Sequence, residues 1–141
     1  MKPDSENAVR KTNWKKRITV SLVAAVGFLV VAYFAISLVI GSGVRSVSAA
    51  ALGEQPGDRV AAIMAYADAS THSLKDRNRA VWALGQLGDP RALAVLEKYY
   101  TGQPCDHARA LCQHELKKAI KLCRGGTNLS AFVWRCGSLR S

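Results

Sequence analysis

The pattern of hydrophobic residues divides the chain near residue 41. Residues 18–40 form an apolar run of 23 residues without a single charged side chain. As a helix with a rise of about 1.5 Å per residue, this run would extend about 35 Å, more than the bilayer's hydrocarbon thickness of about 30 Å. Because a cleaved signal peptide has a hydrophobic region of only about 7–15 residues, the run predicts an uncleaved transmembrane signal anchor. Cleavage near the small residues 48–51 stays open as an alternative.

Beyond this run, apolar residues recur at the spacing of amphipathic helices, and no segment shows the alternation typical of strands. Four helices are predicted: one over 58–69, one from Ser73 to Gly88, one from Asp89 to Gly102, and one from Asp106 to the glycines at 125–126. Their starts carry capping residues, and the last three of them end at glycine. The predicted fold class is therefore all-α, with one transmembrane helix followed by a small domain of α-α hairpins.

The composition along the chain predicts four parts. They are a basic cytoplasmic tail (1–17), the transmembrane helix (18–40), a linker (41–56) and a helical domain with a cysteine-rich C-terminal cap (57–141). The linker is predicted from its content of Gly, Ser and Ala, which is typical of flexible connections.

One segment of the helical domain has a repeat-like sequence. Superposing Ala80 and Leu84 on Leu116 and Ile120 gives an internal period of about 36 residues, in the range of helical-hairpin repeats. The segment 79–92, RAVWALGQLGDPRA, resembles the signature of short HEAT-like repeats of the phycobilisome-lyase type. That resemblance implies an α-α fold with a protein-binding surface. It does not imply lyase chemistry, because many scaffolds without activity share the repeat.

The distribution of charge predicts the orientation and restricts the partners. Six basic residues precede the apolar run and only Arg45 closely follows it, so the N-terminus is predicted to be cytoplasmic and the C-terminal domain periplasmic or otherwise extracytoplasmic. From Arg45 onward, 14 Lys and Arg residues face 8 Asp and Glu residues. This basic surface favours an acidic protein partner or anionic lipid headgroups. Nucleic acid is not expected as a partner, since the domain is predicted to lie on the extracytoplasmic side of the membrane.

The four cysteines predict disulfide bonds. All lie in the last 37 residues, and an even number in an exported domain is typical of disulfide-bonded proteins. Cys123–Cys136 is the favoured pair, because the glycines at 125–126 allow the tail to fold back. Cys105–Cys112 is the less certain pair, because it requires the last helix to start near Ala108 or later. Cys112–Cys136 is the main alternative.

Metal binding and catalysis receive little support from the sequence. In a helix that starts at Asp106, Cys112 and His114 would be rotated by about 200° from each other, which does not allow a four-ligand zinc site. No catalytic triad and no phosphate-binding loop is recognisable. The sequence therefore predicts no enzyme, no cofactor and no bound metal. A cofactor- or metal-handling protein, or an enzyme, that uses the Cys/His cluster of residues 105–123 is kept as the alternative function.

The favoured function is binding of another protein. Aromatic and basic residues of the helical domain offer a possible partner-binding surface: Arg79, Trp82, Tyr99, Tyr100 and Trp134. Together with the anchor and the HEAT-like resemblance, they predict a membrane-anchored scaffold or an accessory subunit of a cell-envelope complex.

Overall fold

The computed structural model describes residues 4–138, with side chains described for residue 14 and for residues 16–135. The helices are α1 Asp4–Glu54, α2 Arg59–Asp68, α3 Leu74–Leu87, a single 3₁₀ turn Pro90–Ala92, α4 Leu93–Tyr99, α5 Gln113–Cys123 and α6 Leu129–Ser138. No strand occurs in this range, so the predicted all-α fold is confirmed. The described residues form two compact units, one ending at Ile36 and the other beginning at Ser37.

The first unit contains the N-terminal part of α1. Within Lys16–Glu54, this helix is long and apolar enough to cross a membrane. Its large apolar side chains are exposed, with Phe28 at 73% and Val31 at 68% of full exposure. Among the described residues, little covers this apolar surface.

The second unit begins with the C-terminal part of α1, which corrects the predicted linker. The segment 41–56 is helical up to Glu54 rather than flexible. Buried residues alternate at spacings of four and three along one helix face: Ser37, Gly41, Val44, Ser48 and Ala51. This spacing keeps a single stripe against the rest of the unit. The small residues of this stripe allow other elements to pack closely against the helix.

The end of α1 is held by a contact that the sequence does not reveal. The carboxylate of Glu54 lies 3.0 Å from His72 Nε2. The His72 ring in turn stacks on Tyr66 with a centroid distance of 3.8 Å. The sequence does not indicate this pair, because Glu54 and His72 are distant along the chain. These contacts connect the end of α1 to α2 and to the turn that follows it.

The predicted limits of α2 and α3 are confirmed by their capping contacts. The Asp58 side chain accepts a hydrogen bond from the Ala61 N–H at 2.9 Å. At the start of α3, the Ser73 hydroxyl accepts from the Asp76 N–H and donates to the Asp76 carboxylate. Gly88 ends α3 with a φ of 61°, a left-handed conformation that glycine adopts without a steric penalty.

The core of the second unit lies where α3 packs against α2 and α5. Its largest fully buried aliphatic side chains are Ile63, Leu84, Leu96 and Leu116. Leu84, which belongs to the segment that resembles a HEAT-like repeat, thus lies in the core. Trp82 is half-buried and contacts both this core and a smaller cluster, which consists of Val44, Ala131 and Trp134.

The start of α5 differs from the prediction. The helix begins at Gln113 and not at Asp106. The Asp106 carboxylate does accept a backbone hydrogen bond, from the Ala108 N–H at 3.1 Å, but it stabilises a turn there. Because aspartate caps turns as readily as helices, the same residue type fits both structures. The late start places residues 106–112 in a loop. The chain continues into a final helix, α6, which the sequence pattern does not predict.

Candidate partner-binding groove and thiol cluster

A groove with a volume of about 580 Å³ opens in the second unit. Its apolar part comes from α1 and α3, including Val39, Val47, Ala50 and Trp82. Polar side chains of α3 and α5 border it, among them Arg79 and Glu115. An apolar floor with a polar rim is the arrangement found in protein-binding surfaces and ligand pockets.

The position of Trp82 in the groove depends on a glycine of α1. A Cβ atom at Gly43 would lie 3.1 Å from the Trp82 ring, so the absence of a side chain there makes room for the indole. The indole is held between this backbone and the core, which leaves it half-buried. A large aromatic ring that is rigidly held and still accessible is a frequent energetic centre of protein interfaces.

The five residues of the predicted partner-binding surface do not share one location. Arg79 and Trp82 both line the groove. Trp134 is buried and contacts the backbone of α1, where a Cβ atom at Gly41 would lie 2.7 Å from the Trp134 Cβ. Neither tyrosine of α4's C-terminal end lines the groove. The groove therefore brings together two of the five residues.

The two tyrosines have different environments at the end of α4. The Tyr99 hydroxyl donates a hydrogen bond to the Asp68 carboxylate at 2.7 Å, and Lys98 donates to the same carboxylate at 2.6 Å. Both bonds hold the pKa of Asp68 below its ordinary value, and the bond from Lys98 has the larger effect. Tyr99 thus connects α4 to α2, whereas Tyr100 is exposed.

A thiol cluster lies where the loop 106–112 meets the start of α5. Cys105 Sγ is 3.1 Å from Cys112 Sγ and accepts a hydrogen bond from the His114 N–H at 3.4 Å. His107 lies beside them, so that the potential ligand atoms of Cys105, His107 and Cys112 are all within 4.8 Å of one another. The predicted rotation of about 200° between Cys112 and His114 assumed a helix that starts at Asp106. That rotation does not apply, because α5 starts at Gln113, and the histidine of the cluster is His107.

The thiols of Cys105 and Cys123 differ in their pKa. The hydrogen bond with Cys112, followed by those from the backbone N–H groups of His114 and Gln113, lowers the pKa of Cys105. Burial raises the pKa of Cys123 to about 11. The Cys123 thiol donates to the Leu84 carbonyl oxygen at 3.6 Å. Because the thiolate is the reactive form, Cys105 is the more reactive of these two.

Two polar residues that the sequence did not single out hold the thiol cluster in place. The Asn78 side chain accepts a hydrogen bond from the Cys112 N–H at 2.8 Å. The buried Gln113 side chain accepts from the Thr101 N–H at 2.8 Å and donates to the Tyr99 carbonyl oxygen at 3.1 Å. Gln113 directly follows the loop in the sequence, whereas the fold brings Asn78 of α3 to it.

The favoured disulfide, Cys123–Cys136, involves a side chain outside the described residues, so it stays a prediction. The backbone of Cys136 belongs to α6. The second predicted pair, Cys105 and Cys112, is brought together by the late start of α5. His114 contributes its backbone N–H to the cluster.

The comparison with protein families agrees with this architecture. Residues 76–101 match the PBS lyase HEAT-like repeat, a segment that includes nearly all of α3, the 3₁₀ turn and α4. No curated protein and no solved structure matches the chain. The match supports HEAT-like helical repeats in the second unit, a class of helical scaffold that binds other proteins.

Proposed function

We propose that this protein is a membrane-anchored scaffold or an accessory subunit of a cell-envelope complex, whose helical domain binds another protein. The groove beside Trp82 carries this proposal, and the HEAT-like match supports it. The apolar, exposed helix within Lys16–Glu54 supports the anchor. The proposed activity is binding and involves no enzymatic step.

The lining of the groove indicates what kind of partner segment it accepts. Its apolar part suits an aliphatic or aromatic side chain from a helix of another protein. Arg79 is exposed at the rim, and the chain has a net charge of +10. Both features favour a partner segment that carries acidic residues next to its apolar side chain. Glu115 and Asp76 on the same rim offer acceptors for a basic or polar group.

We expect that replacing Trp82 by alanine strongly weakens partner binding. A photo-crosslinking amino acid at Ser46, an exposed position that lines the groove, should give an adduct with one defined protein in native membranes. Loss of a central aromatic anchor typically costs at least about 2 kcal/mol, which corresponds to about a 30-fold loss of affinity. The Trp82→Ala variant of the full chain should therefore lose the adduct.

The matched control is Tyr100→Ala, which removes an exposed aromatic ring that does not line the groove. This variant should keep the adduct. The proposal fails if Ser46 gives no adduct or if the Trp82→Ala and Tyr100→Ala variants give equal yields. Circular dichroism of both variants shows whether the fold is retained.

We expect an external protease to reach the second unit only from the extracytoplasmic side. The orientation follows from the basic residues that precede the apolar run, since they are retained in the cytoplasm. Digestion of intact spheroplasts should remove the domain after Arg45, and digestion of inverted vesicles should leave it intact. Protection in spheroplasts together with cleavage in inverted vesicles would reverse the proposed topology.

A further inference from the structure

We propose that Cys105 and Cys112 form a disulfide by thiol–disulfide exchange, and that Cys105 is the thiol that attacks first. This inference is independent of the partner-binding groove. The two sulfur atoms lie 3.1 Å apart, and a disulfide bond of about 2.05 Å requires a movement of only about 1 Å. Both cysteines lie outside the helices, before the start of α5, where such a movement does not disturb a helix.

The surroundings of the two thiols assign different roles to them. Cys105 is exposed, and its sulfur accepts the His114 N–H at the N-terminal end of the 11-residue helix α5. That end of a helix stabilises negative charge, which favours the thiolate. Cys112 is buried, and its backbone N–H is held by Asn78. Because exchange rates depend on access and on the thiolate fraction, these surroundings favour Cys105 as the attacking thiol.

The exchange needs a disulfide as the oxidant, either a small molecule such as oxidised glutathione or a disulfide of an oxidising protein. The Cys105 thiolate attacks one sulfur of this disulfide, and the other sulfur leaves as a thiolate. The Cys112 thiolate then attacks Cys105 Sγ and displaces the second oxidant thiolate. Two electrons pass to the oxidant, and the two protons of the cysteine thiols end on its two sulfurs.

The same geometry argues against zinc as the occupant of the thiol cluster. In a tetrahedral site with Zn–S distances of about 2.3 Å, two sulfur ligands are about 3.8 Å apart. The observed 3.1 Å is well below that distance. Among the described residues, the cluster supplies only three ligands, from Cys105, His107 and Cys112. Structural zinc sites have four protein ligands, so the cluster is one ligand short of such a site.

The test is a redox titration of the full chain in detergent, read by peptide mapping. The chain is reduced, equilibrated in glutathione buffers, quenched with an alkylating reagent and digested with trypsin. Each cysteine falls in its own tryptic peptide: 99–109, 110–117, 122–124 and 136–140. We expect the disulfide-linked species of peptides 99–109 and 110–117.

The unfolded chain provides the reference for this titration. In urea, the two cysteines are joined by a short flexible segment, for which effective concentrations are in the millimolar range. In the folded chain, we expect the effective concentration of the pair to be at least about ten-fold higher, because the fold already holds the sulfurs together. A ratio near one would overturn the proposal, and so would linkage of Cys112 to Cys136.

Substitutions test the roles of the two thiols without depending on one variant. With oxidised glutathione, Cys112→Ser should form a mixed disulfide at Cys105 faster than Cys105→Ser forms one at Cys112. Asn78→Ala keeps both cysteines and should lower the effective concentration, whereas Asn128→Ala, which changes an asparagine bonded to Gln86 instead, should not. The opposite order of rates would contradict the role of Cys105. Stoichiometric zinc in the purified chain, with both thiols protected from oxidation, would overturn the disulfide itself.

Discussion

Replacing Leu84 by alanine lowers the free energy of unfolding by about 2–5 kcal/mol. Leu84 is fully buried at 0% exposure on α3, where that helix packs against α2 and α5. Alanine removes three carbon atoms from this site and leaves a cavity. The neighbouring helices cannot close it fully, because each is also held by its other contacts.

The measurement for Leu84→Ala is denaturant unfolding of the full chain in detergent, followed by circular dichroism. Leu129→Ala is the matched control, because the same atoms are removed from a side chain that is 71% exposed at the start of α6. Its expected effect lies within about 0.5 kcal/mol. Equal stability of Leu84→Ala and the unmodified chain would refute the position of Leu84 in the core.

Gly85→Ala is expected to destabilise the second unit by about 1–3 kcal/mol, although alanine normally stabilises a helix. A Cβ atom at Gly85 would lie 2.7 Å from the Cα and 2.9 Å from the Cβ of Ala119 on α5. Since backbone atoms cannot move aside as a flexible side chain can, α3 and α5 would have to separate. This separation would weaken the contact that forms the centre of the core.

The control for Gly85→Ala is the same substitution at Gly53 of α1. Apart from its own helix, no described atom lies within 4 Å of a Cβ built there, so this variant should be neutral or more stable by up to about 1 kcal/mol. The same unfolding experiment compares both variants. If both glycine variants gain stability, the close approach of α3 and α5 is wrong.

The limits of α2 and α3 could be predicted because the interactions that set them are local. Ser73 and Asp76 are three residues apart and contact each other directly. Gly88 ends α3 through its own backbone conformation. Such contacts form within one helical turn, so the residue types and their spacing contain the information. The apolar run 18–40 could be predicted equally well, because its length and lack of charge do not depend on tertiary contacts.

The segment 41–56 shows where composition misleads. Gly, Ser and Ala occur both in flexible linkers and on helix faces that allow close approach. Gly41 contacts Trp134 and Gly43 contacts Trp82, both of which are distant in the sequence. The bulky partners decide which of the two interpretations applies, and the local sequence does not show them.

The thiol cluster and the groove depend in the same way on contacts across the fold. The even number of cysteines in a domain predicted to be exported favours disulfides, whereas the late start of α5 brings Cys105 beside Cys112. In the sequence, Asn78 and Gln113 cannot be distinguished from other polar helix residues. Their hydrogen bonds with the N–H groups of Cys112 and Thr101 become visible only in the structure.

The sequence by itself determined the apolar anchor-like helix, the all-α class, the HEAT-like segment and the limits of α2 and α3, because hydrophobic period and capping act over a few residues. Only the tertiary structure decided that α1 continues into the helical domain, that Arg79 and Trp82 share a groove, and which cysteines meet. Those features result from packing between residues that are far apart along the chain, where shape and backbone position matter more than residue type.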